Sequence, residues 1–419
     1  MIFFFITVIL WISFIPAPIT DRYKYTIYLV LIICLICSFI RFKNVRYFLN
    51  DKFDKLIWLF LMWNFFSALF AYDKNMAFER YVDFTIPFVA IYFIARNELN
   101  NKRIRLLIYV LFFAGVTVGV MAILEFIFKS NIIYEKLVYN PFYRWFLFLS
   151  RAMSTMIHPT ILGTYLACCL PCYYFIAGVI KNKTNKLLAM LGAFFIFIGL
   201  MVTFSRTSWI VALTGAFFYF YKKNKKLLPI MIVFISLFSV AVFGIMKLKP
   251  TLRDRIDYKN ADNYIRLERY PLTMKMIKDH PFVGVGLNNY RIVFDKYYGP
   301  NQVDYNIKIP DNMYLMIAGE SGLIGAGLFL LLLFYIIKRG FVLLKDKEDK
   351  NWEMTLTLFS VIICILIHMI SYELFYWTVP FFLFLLLLGG LLSYPKYKIS
   401  RCIKTPDPLL PTRSGLLQE

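Results

Sequence analysis

Arg206 is the residue whose position most strongly indicates chemistry. It is the only charged residue in a run of 35, Leu187 to Tyr221. A charge at the centre of a bilayer costs roughly 2.5–3.5 kcal/mol, and such residues usually face a water-filled cavity or a partner and carry function. A guanidinium group can bind two phosphate oxygens at once, and it keeps its charge at low dielectric. We therefore expect Arg206 to be functional, with an anionic substrate as the first hypothesis.

Two carboxylates lie in a second stretch, IPDNMYLMIAGESGLIGAGLFL (309–330). Asp311 stands at the mouth of an apolar segment, where it could be a helix N-cap or a catalytic group. Glu320 lies about 13 Å deeper at helical rise. A carboxylate at that depth needs water or a partner, and a structural salt bridge to an interior arginine would also satisfy it.

The stretch NYIRLERYPLTMKMIKDHPFVGVGLNNY (263–290) brings Arg266, Arg269 and Tyr270 within about one helical turn of each other. Pro271 weakens the prediction of a helix here unless the helix begins near it, where proline is tolerated. GVGLNN (284–289) is interpreted as a turn. A phosphate-binding loop is the weaker alternative, because such loops follow a strand.

The elements that must position these residues are membrane-spanning helices. The composition is 60% hydrophobic with 44 Phe, and the mean hydropathy is +0.63, which predicts an all-α polytopic membrane protein. We read the first apolar segment as a retained span, because no positive region precedes it. About 12 transmembrane segments are predicted, at 2–18, 25–40, 56–72, 83–95, 106–128, 159–180, 187–204, 207–221, 227–246, 312–337, 354–371 and 375–393.

The uncharged run around Arg206 must fold back on itself. As one helix it would be about 52 Å long, against a hydrocarbon core of roughly 30 Å. Its flanks KNKTNK (181–186) and KKNKK (222–226) are both basic and would then lie on one side of the membrane. A hairpin is predicted, with its turn at Ser205-Arg206-Thr207.

The distribution of basic residues predicts the orientation. With both termini cytoplasmic, the inner loops and tail hold 26 of the 47 Lys and Arg residues. Arg206 and the long segment 247–311 then face outward, since long loops translocate largely regardless of charge. The predicted units are spans one to nine (1–246), an extracytoplasmic loop (247–311), spans ten to twelve (312–393) and a cytoplasmic tail (394–419).

Charge and cysteine usage exclude several classes of function. The net charge of +22 is mostly in the inner loops, where anionic lipid is the expected partner and nucleic acid is not. The cysteines lie in apolar spans or the tail, so neither an exported disulfide nor a zinc site is predicted. The acidic cluster KDKEDK (345–350) reads as a solvated inner loop. We therefore predict no metal and no cofactor.

Four pieces of the chain, in this order, carry a resemblance to a known family: RAMSTMIHPTILGTYL (151–166), TFSRTSWIV (203–211), YIRLERYPLTMKMIKDHPFVGVG (264–286) and DNMYLMIAGESGLIG (311–325). The chain resembles the O-antigen ligase and O-antigen polymerase superfamily of bacterial membrane glycosyltransferases. The first 150 residues match only in hydropathy. The resemblance implies a GT-C-like arrangement in the inner membrane, an outward-facing active site, and undecaprenyl-diphosphate-linked glycans as substrates.

The resemblance also implies roles for individual residues. Arg206 and Arg266 fall on the arginines thought to hold the donor diphosphate, where they would also stabilise the leaving group. Asp311 stands where the ligases carry a histidine, the proposed base, so it is the candidate for acceptor activation in inverting transfer. The other candidate substrate-binding residues are Arg269, Tyr270, His158, Arg151, Asn312, Tyr314 and Glu320. For His158, a cap or interface role is the first interpretation.

The departure at Asp311 favours a polymerase over a ligase. A polymerase joins two lipid-linked repeat units, so both substrates carry a diphosphate that the cationic outer surface can bind. A chain-length regulator is then a possible protein partner. A ligase, which transfers the glycan to a lipid A-core or another acceptor, is the alternative. A transporter of polysaccharide or lipid is the rival of another class, but such proteins typically show internal repeats, and the long outer loop has no counterpart in the first half.

Overall fold

The computed structural model describes residues 2–16, 19, 22–42, 48–49, 51–131, 133–137, 151–227, 229, 261–297 and 309–404. Within these ranges the chain is helical, with short turns and no strand. The α-helices are α1 (Ile2–Phe14), α2 (Lys24–Phe42), α3 (Lys52–Leu69), α4 (Lys74–Glu98), α5 (Asn101–Phe128), α6 (Pro159–Val179), α7 (Lys183–Met201), α8 (Arg206–Lys223), α9 (Ala261–Asp279), α10 (Tyr290–Phe294), α11 (Met313–Leu343), α12 (Trp352–His368) and α13 (Thr378–Lys404).

Most of the predicted apolar segments coincide with these helices, and the all-α class is confirmed for the described residues. The ninth segment, 227–246, lies outside them. Among the helices that the structure describes, five (α2, α5, α6, α7 and α11) are long and apolar enough to cross a membrane. The outer segment 247–311 contains α9 and α10, while 247–260 and 298–308 lie outside the described residues. These features fit a polytopic membrane protein with one partly helical insertion.

Side-chain caps mark where several helices begin. Asp51, Asp73 and Asn100 accept hydrogen bonds from backbone N–H groups in the first turns of α3, α4 and α5. Asn182 caps α7 in the same way, with an oxygen 2.8 Å from Thr184 N. Such caps satisfy N–H groups that a helix terminus leaves without partners. The polar residues between apolar segments therefore fix the helix boundaries.

Helix α6 lies at the centre of the bundle. It packs against α5, α7, α8 and α12, while α13 packs against α4, α1 and α12. Nearly all residues of α6 from Pro159 to Cys172 are buried. The two arms of the predicted hairpin, α7 and α8, each pack on α6 more than on each other. The arms thus fold back as predicted, with α6 as their shared support.

Part of the basic charge assigned to lipid is used inside the protein. Arg96 is buried and bonded to Asp51 at 2.7 Å and to Asp54. Arg41 and Arg103 both pair with the buried Glu98, at 3.3 and 3.0 Å. These pairs join loops 41–55 and 96–105, which were both predicted on the inner side. These three arginines therefore have carboxylate partners within the protein, and contact of the inner loops with anionic lipid stays a prediction.

Candidate active site

The hairpin tip is formed by Val202–Ser205, slightly earlier in the chain than predicted. α7 ends at Met201, and Arg206 is the first residue of α8 rather than the centre of the turn. The Arg206 side chain is exposed. The first N–H groups of a helix and its positive dipole end favour an anion, and a guanidinium at the same place adds to that preference. The tip therefore combines two features that attract a negatively charged group.

His368 connects the hairpin tip to the rest of the bundle. It is the last residue of α12 and is 0% exposed. Its Nδ1 lies 2.8 Å from Thr164 Oγ1 on α6, and its Nε2 lies 3.1 Å from Thr207 Oγ1 on α8. Thr207 directly follows Arg206. The imidazole therefore fixes the start of α8 against α6 and α12.

The segment 151–158 packs beside the tip. The Arg151 Nε donates to Thr203 O at 3.0 Å, and Ala152 N donates to Val202 O at 3.0 Å. From the other side, the buried carboxylate of Glu125 accepts from Ser154 N at 2.6 Å. Arg151 is thus half-buried against the turn that precedes Arg206. Its proposed role in substrate binding stays a prediction.

His158 ends this segment as the N-cap of α6. Its Nδ1 accepts from Thr160 N at 3.1 Å, as the cap interpretation predicted. The ring also stacks on Tyr372, with ring centroids 5.5 Å apart, and on Trp377 at 6.5 Å. Tyr372 and Trp377 stack on each other at 6.1 Å. We call His158, Tyr372 and Trp377 the aromatic stack. His158 and Trp377 are half-buried, so part of the stack is exposed.

Asp311 is paired with Arg269. The Arg269 side chain is 3% exposed, and its Nη1 donates to Asp311 Oδ2 at 3.2 Å and to Ile309 O at 2.9 Å. Asp311 is 8% exposed and has a left-handed backbone, with φ of 46°. The N-cap interpretation of Asp311 was wrong. Asn312 caps α11 instead, with its side-chain oxygen 2.9 Å from Tyr314 N and 3.1 Å from Leu315 N.

Arg266 and Tyr270 flank Arg269 on α9. The helix continues from Ala261 to Asp279 through Pro271, so the proline does not interrupt the helical segment. Tyr270 is half-buried. The side chain of Arg266 is outside the description, and its predicted pairing with Arg206 on one diphosphate stays a prediction. The backbone places Arg266 one turn before the Arg269–Asp311 pair.

A chain of contacts links the hairpin tip to Asp311. Thr207 contacts His368, and the next residue, Met369, accepts a hydrogen bond from Met313 N at 2.8 Å. Met313 begins α11 two residues after Asp311. Tyr314 strengthens the same junction, because its hydroxyl donates to Leu366 O at 2.8 Å. Arg206 and Asp311 therefore lie at the same end of the helix bundle.

Glu320 lies deeper, at a break in α11. Gly322 has φ of 70° and ψ of −179°, which interrupts the helix. The Glu320 carboxylate is buried and accepts from the Tyr376 hydroxyl, and the Arg80 guanidinium covers the Tyr376 ring at 4.0 Å. Glu320 thus has the buried partner that its depth required, and a tyrosine rather than a direct arginine salt bridge provides it. Contact of Glu320 with substrate stays a prediction.

The loop 281–286 docks onto this break. Val285 N and Gly286 N donate to the carbonyls of Gly319 and Glu320 at 3.0 and 2.9 Å, and Leu323 N donates to Pro281 O at 2.7 Å. GVGLNN is thus a turn, as interpreted from the sequence. Its function is to satisfy the backbone groups that the broken helix leaves without partners.

Glu373 is the site residue that the sequence reasoning missed. It lies between α12 and α13, beside the aromatic stack, and is 2% exposed. Its Oε1 accepts from Trp377 Nε1 at 3.3 Å. Burial, together with the negative charge of Asp311, raises the pKa of Glu373 to about 7, although Arg291 acts in the opposite direction. A signal was available, since Glu373 is the only Asp, Glu, Lys or Arg between Glu353 and Lys396.

Comparison with known proteins gives a family for part of the chain. Residues 191–330 match the family model described as O-antigen ligase. The matched region includes Arg206, Arg266, Arg269, Asp311 and Glu320. The match confirms the resemblance to the O-antigen ligase and polymerase superfamily. A search of the curated proteins gives no significant match.

Proposed function

We propose that this chain, which residues 191–330 assign to the O-antigen ligase and polymerase superfamily, is a membrane glycosyltransferase acting on undecaprenyl-diphosphate-linked glycans. The observation that carries the proposal is the contact chain from Thr207 through His368 and Met369 to Met313. It brings the exposed Arg206 to the end of the bundle that also holds Asp311. A cation for the donor and a carboxylate for the acceptor are both needed at one site.

In this proposal Arg206 and Arg266 bind the donor diphosphate. Their charge also stabilises the negative charge that grows on the diphosphate as it leaves. Such a leaving group needs little protonation, so the reaction proceeds without an acid catalyst or a metal. Asp311, held by Arg269, binds the acceptor hydroxyl and orients its attack with inversion at the anomeric carbon. The half-open aromatic stack offers ring faces for sugars.

Polymerisation of repeat units is our first assignment, at the outer face of the inner membrane. The presence of Asp311-Asn312 in place of the histidine of ligases favours it. Ligation is the second candidate, favoured by the description of the matching family. The two are separated by giving purified protein only the lipid-linked repeat unit. Longer lipid-linked glycan indicates a polymerase, whereas transfer that requires a second acceptor indicates a ligase.

The arginines give the central prediction. Arg206→Ala and Arg266→Ala should each reduce glycosyl transfer by at least about 100-fold, the loss typical of removing a group that stabilises transition-state charge. Chain length of the polysaccharide in cells and turnover by purified protein are the measurements. Lys222→Ala is the matched control, because Lys222 is a cation at the opposite end of α8. Normal turnover in both arginine variants would contradict the proposed function.

A further inference from the structure

A cavity of about 300 Å³ lies between α2, α4 and the start of α13. It belongs to the same end of the bundle as the candidate site, because Phe375 and Tyr376 line it and Trp377 of the aromatic stack follows them directly. Its volume is at the lower end of the range for small-molecule sites. None of the residues that line it has a role in the proposed function, so the cavity needs an explanation of its own.

One side of the cavity holds a carboxylate between two donors. The Lys24 ammonium group lies 3.5 Å from Asp83 Oδ2, and the Tyr28 hydroxyl donates to Asp83 Oδ1 at 3.0 Å. The side chains of Lys24 and Asp83 are 20% and 23% exposed, so the pair is not sealed within the protein. A carboxylate oxygen accepts more than one hydrogen bond. Asp83 can therefore accept from a ligand as well.

Arg80 adds a cation to the other side of the cavity. Its Nη2 donates to Phe375 O at 2.9 Å, and its guanidinium covers the Tyr376 ring at 4.0 Å. These contacts fix its position, and a guanidinium carries more N–H donors than one such bond uses. The ion pairs formed by the described residues do not include Arg80. It therefore keeps donors for a ligand.

Aromatic rings form the apolar part of the wall. Tyr28 and Tyr376 are half-buried, and Phe375 and Phe381 also line the cavity. The rings of Phe375 and Phe381 pack on each other with centroids 5.2 Å apart, and Phe381 stacks on Phe84 at 4.9 Å. Rings held in this way need little further ordering when a ligand binds.

This combination of groups disfavours a simple ion as the ligand. Asp83 opposes an anion, whereas Arg80 and Lys24 oppose a cation. A hydroxyl group both donates and accepts, so a ligand with neighbouring hydroxyls matches a carboxylate and a guanidinium in one cavity. A sugar has such hydroxyls, and the C–H groups of its ring supply an apolar face for the aromatic side chains. Carbohydrate is therefore the class of ligand that fits all parts of the wall.

We propose that this cavity is a carbohydrate-binding subsite, in which Arg80 and Asp83 bind the hydroxyl groups of one sugar and the aromatic rings contact its apolar face. The inference rests on the proposed function for the source of this sugar, a residue of the lipid-linked glycan. The turn Leu374–Tyr376 lies between the cavity and Trp377, so the subsite is separated from the aromatic stack by a single turn of chain. It binds the glycan away from the bond that forms.

Native mass spectrometry of the full-length protein in detergent tests the subsite. The probe is the repeat-unit oligosaccharide released by mild acid from the lipid-linked pool of the native host, which lacks the diphosphate. Ile27→Trp fills the cavity without changing a polar group, because Ile27 lines it. Ile36→Trp is the matched control, since Ile36 is 50% exposed on the same helix and does not line the cavity. We expect Ile27→Trp to bind the probe about 10-fold more weakly than wild type and Ile36→Trp, the effect of losing one hydrogen bond to a charged group.

Asp83→Asn provides a second test that keeps the size of the side chain and an oxygen for Tyr28. We expect it to raise KM for the lipid-linked repeat unit about 10-fold with kcat within about twofold of wild type. A subsite remote from the reacting atoms contributes equally to the bound substrate and the transition state, so its loss appears in KM. A loss confined to kcat, with KM unchanged, would contradict this role. Melting temperatures of the variants show whether each is folded.

Other outcomes would overturn the inference. These are absence of probe binding by wild type, or wild-type binding and KM in both folded variants, Ile27→Trp and Asp83→Asn. A phospholipid that is retained by wild type and lost from Ile27→Trp, with no oligosaccharide bound, would assign the cavity to a lipid headgroup instead. Arg206→Ala separates the two proposals, because it should bind the probe like wild type. Full turnover by Arg206→Ala would reject the proposed function and leave the binding result standing.

Discussion

At the scale of single residues, the site depends on buried charges that are held by named partners. Arg269 is almost fully buried and uses one nitrogen for both Asp311 and the carbonyl of Ile309. A buried guanidinium without its carboxylate is strongly unfavourable, because it has lost both water and its ion pair. The Arg269–Asp311 pair therefore fixes the start of α11 relative to α9, in addition to any chemical role.

Replacing one member of the Arg269–Asp311 pair should lower the free energy of unfolding more than its share of the loss when both members are replaced. Asp311→Asn leaves Arg269 buried without its counter-charge, and we expect a loss of about 3 kcal/mol in the free energy of unfolding. The double variant Arg269→Met with Asp311→Asn should lose less than the sum of the two single variants, since no buried charge remains unpaired. Denaturation of the purified variants in detergent is the measurement. Additive losses would show that the two side chains do not interact.

At the scale of elements, the break in α11 determines how the outer loop reaches the bundle. Gly322 and Gly284 both have positive φ, at 70° and 76°, which residues with a Cβ rarely adopt. There is also no room for a Cβ atom at either glycine. A Cβ on Gly322 would overlap the carbonyl of Phe282, and one on Gly284 would overlap the backbone of Glu320. The break in α11 and the conformation of loop 281–286 therefore depend on each other.

Alanine at either glycine should separate the loop from α11. For Gly322→Ala and Gly284→Ala we expect a loss of at least about 2 kcal/mol in stability, from strain and lost hydrogen bonds, and reduced glycosyl transfer. Gly327→Ala is the control on the same helix, because nothing lies within 4 Å of its Cβ position. It should be neutral or slightly stabilising, since alanine favours a helix. Equal melting temperatures for all three variants would contradict this account.

At the scale of the whole molecule, charged loops gather at one end of the bundle and the candidate site lies at the other. The Lys223–Glu353 pair, at 2.8 Å, joins the ends of α8 and α12 opposite Arg206 and His368. The basic loops 222–226 and 338–352 therefore belong to one end, consistent with the predicted inner side. A basic inner end and an outward site are what the positive-inside rule leads us to expect.

The orientation can be tested by thiol labelling. In a background without accessible native cysteines, Lys278→Cys on α9 should react with a membrane-impermeant maleimide added to intact spheroplasts. Lys347→Cys, in the predicted inner loop, should react only after the membrane is opened. Both positions are exposed, so accessibility of the side chain itself does not separate them. The reverse labelling pattern would place the site on the cytoplasmic side and reject an outward-facing enzyme.

The amino-acid sequence by itself determined the helical class and the return of the chain at the hairpin, and it identified Arg206 as a candidate functional residue. These follow from local properties, since apolar length sets what can span a bilayer and an isolated charge in an apolar run is costly. The same argument would have identified Glu373, whose neighbours are equally apolar. The sequence left open whether a helix continues through Pro271; it does, because packing of α9 against α11 and α10 outweighs the local preference of proline.

Only the tertiary structure decided which side chains are partners. The pairing of Asp311 with Arg269, the link from Thr207 to His368, and the contact of Glu320 with Tyr376 join residues 42, 161 and 56 positions apart in the chain. Such pairs arise from the way helices pack, and spacing along one segment does not specify them. Periodicity gives the face of each helix, whereas the rotation and depth of neighbouring helices depend on side-chain fit across the whole bundle.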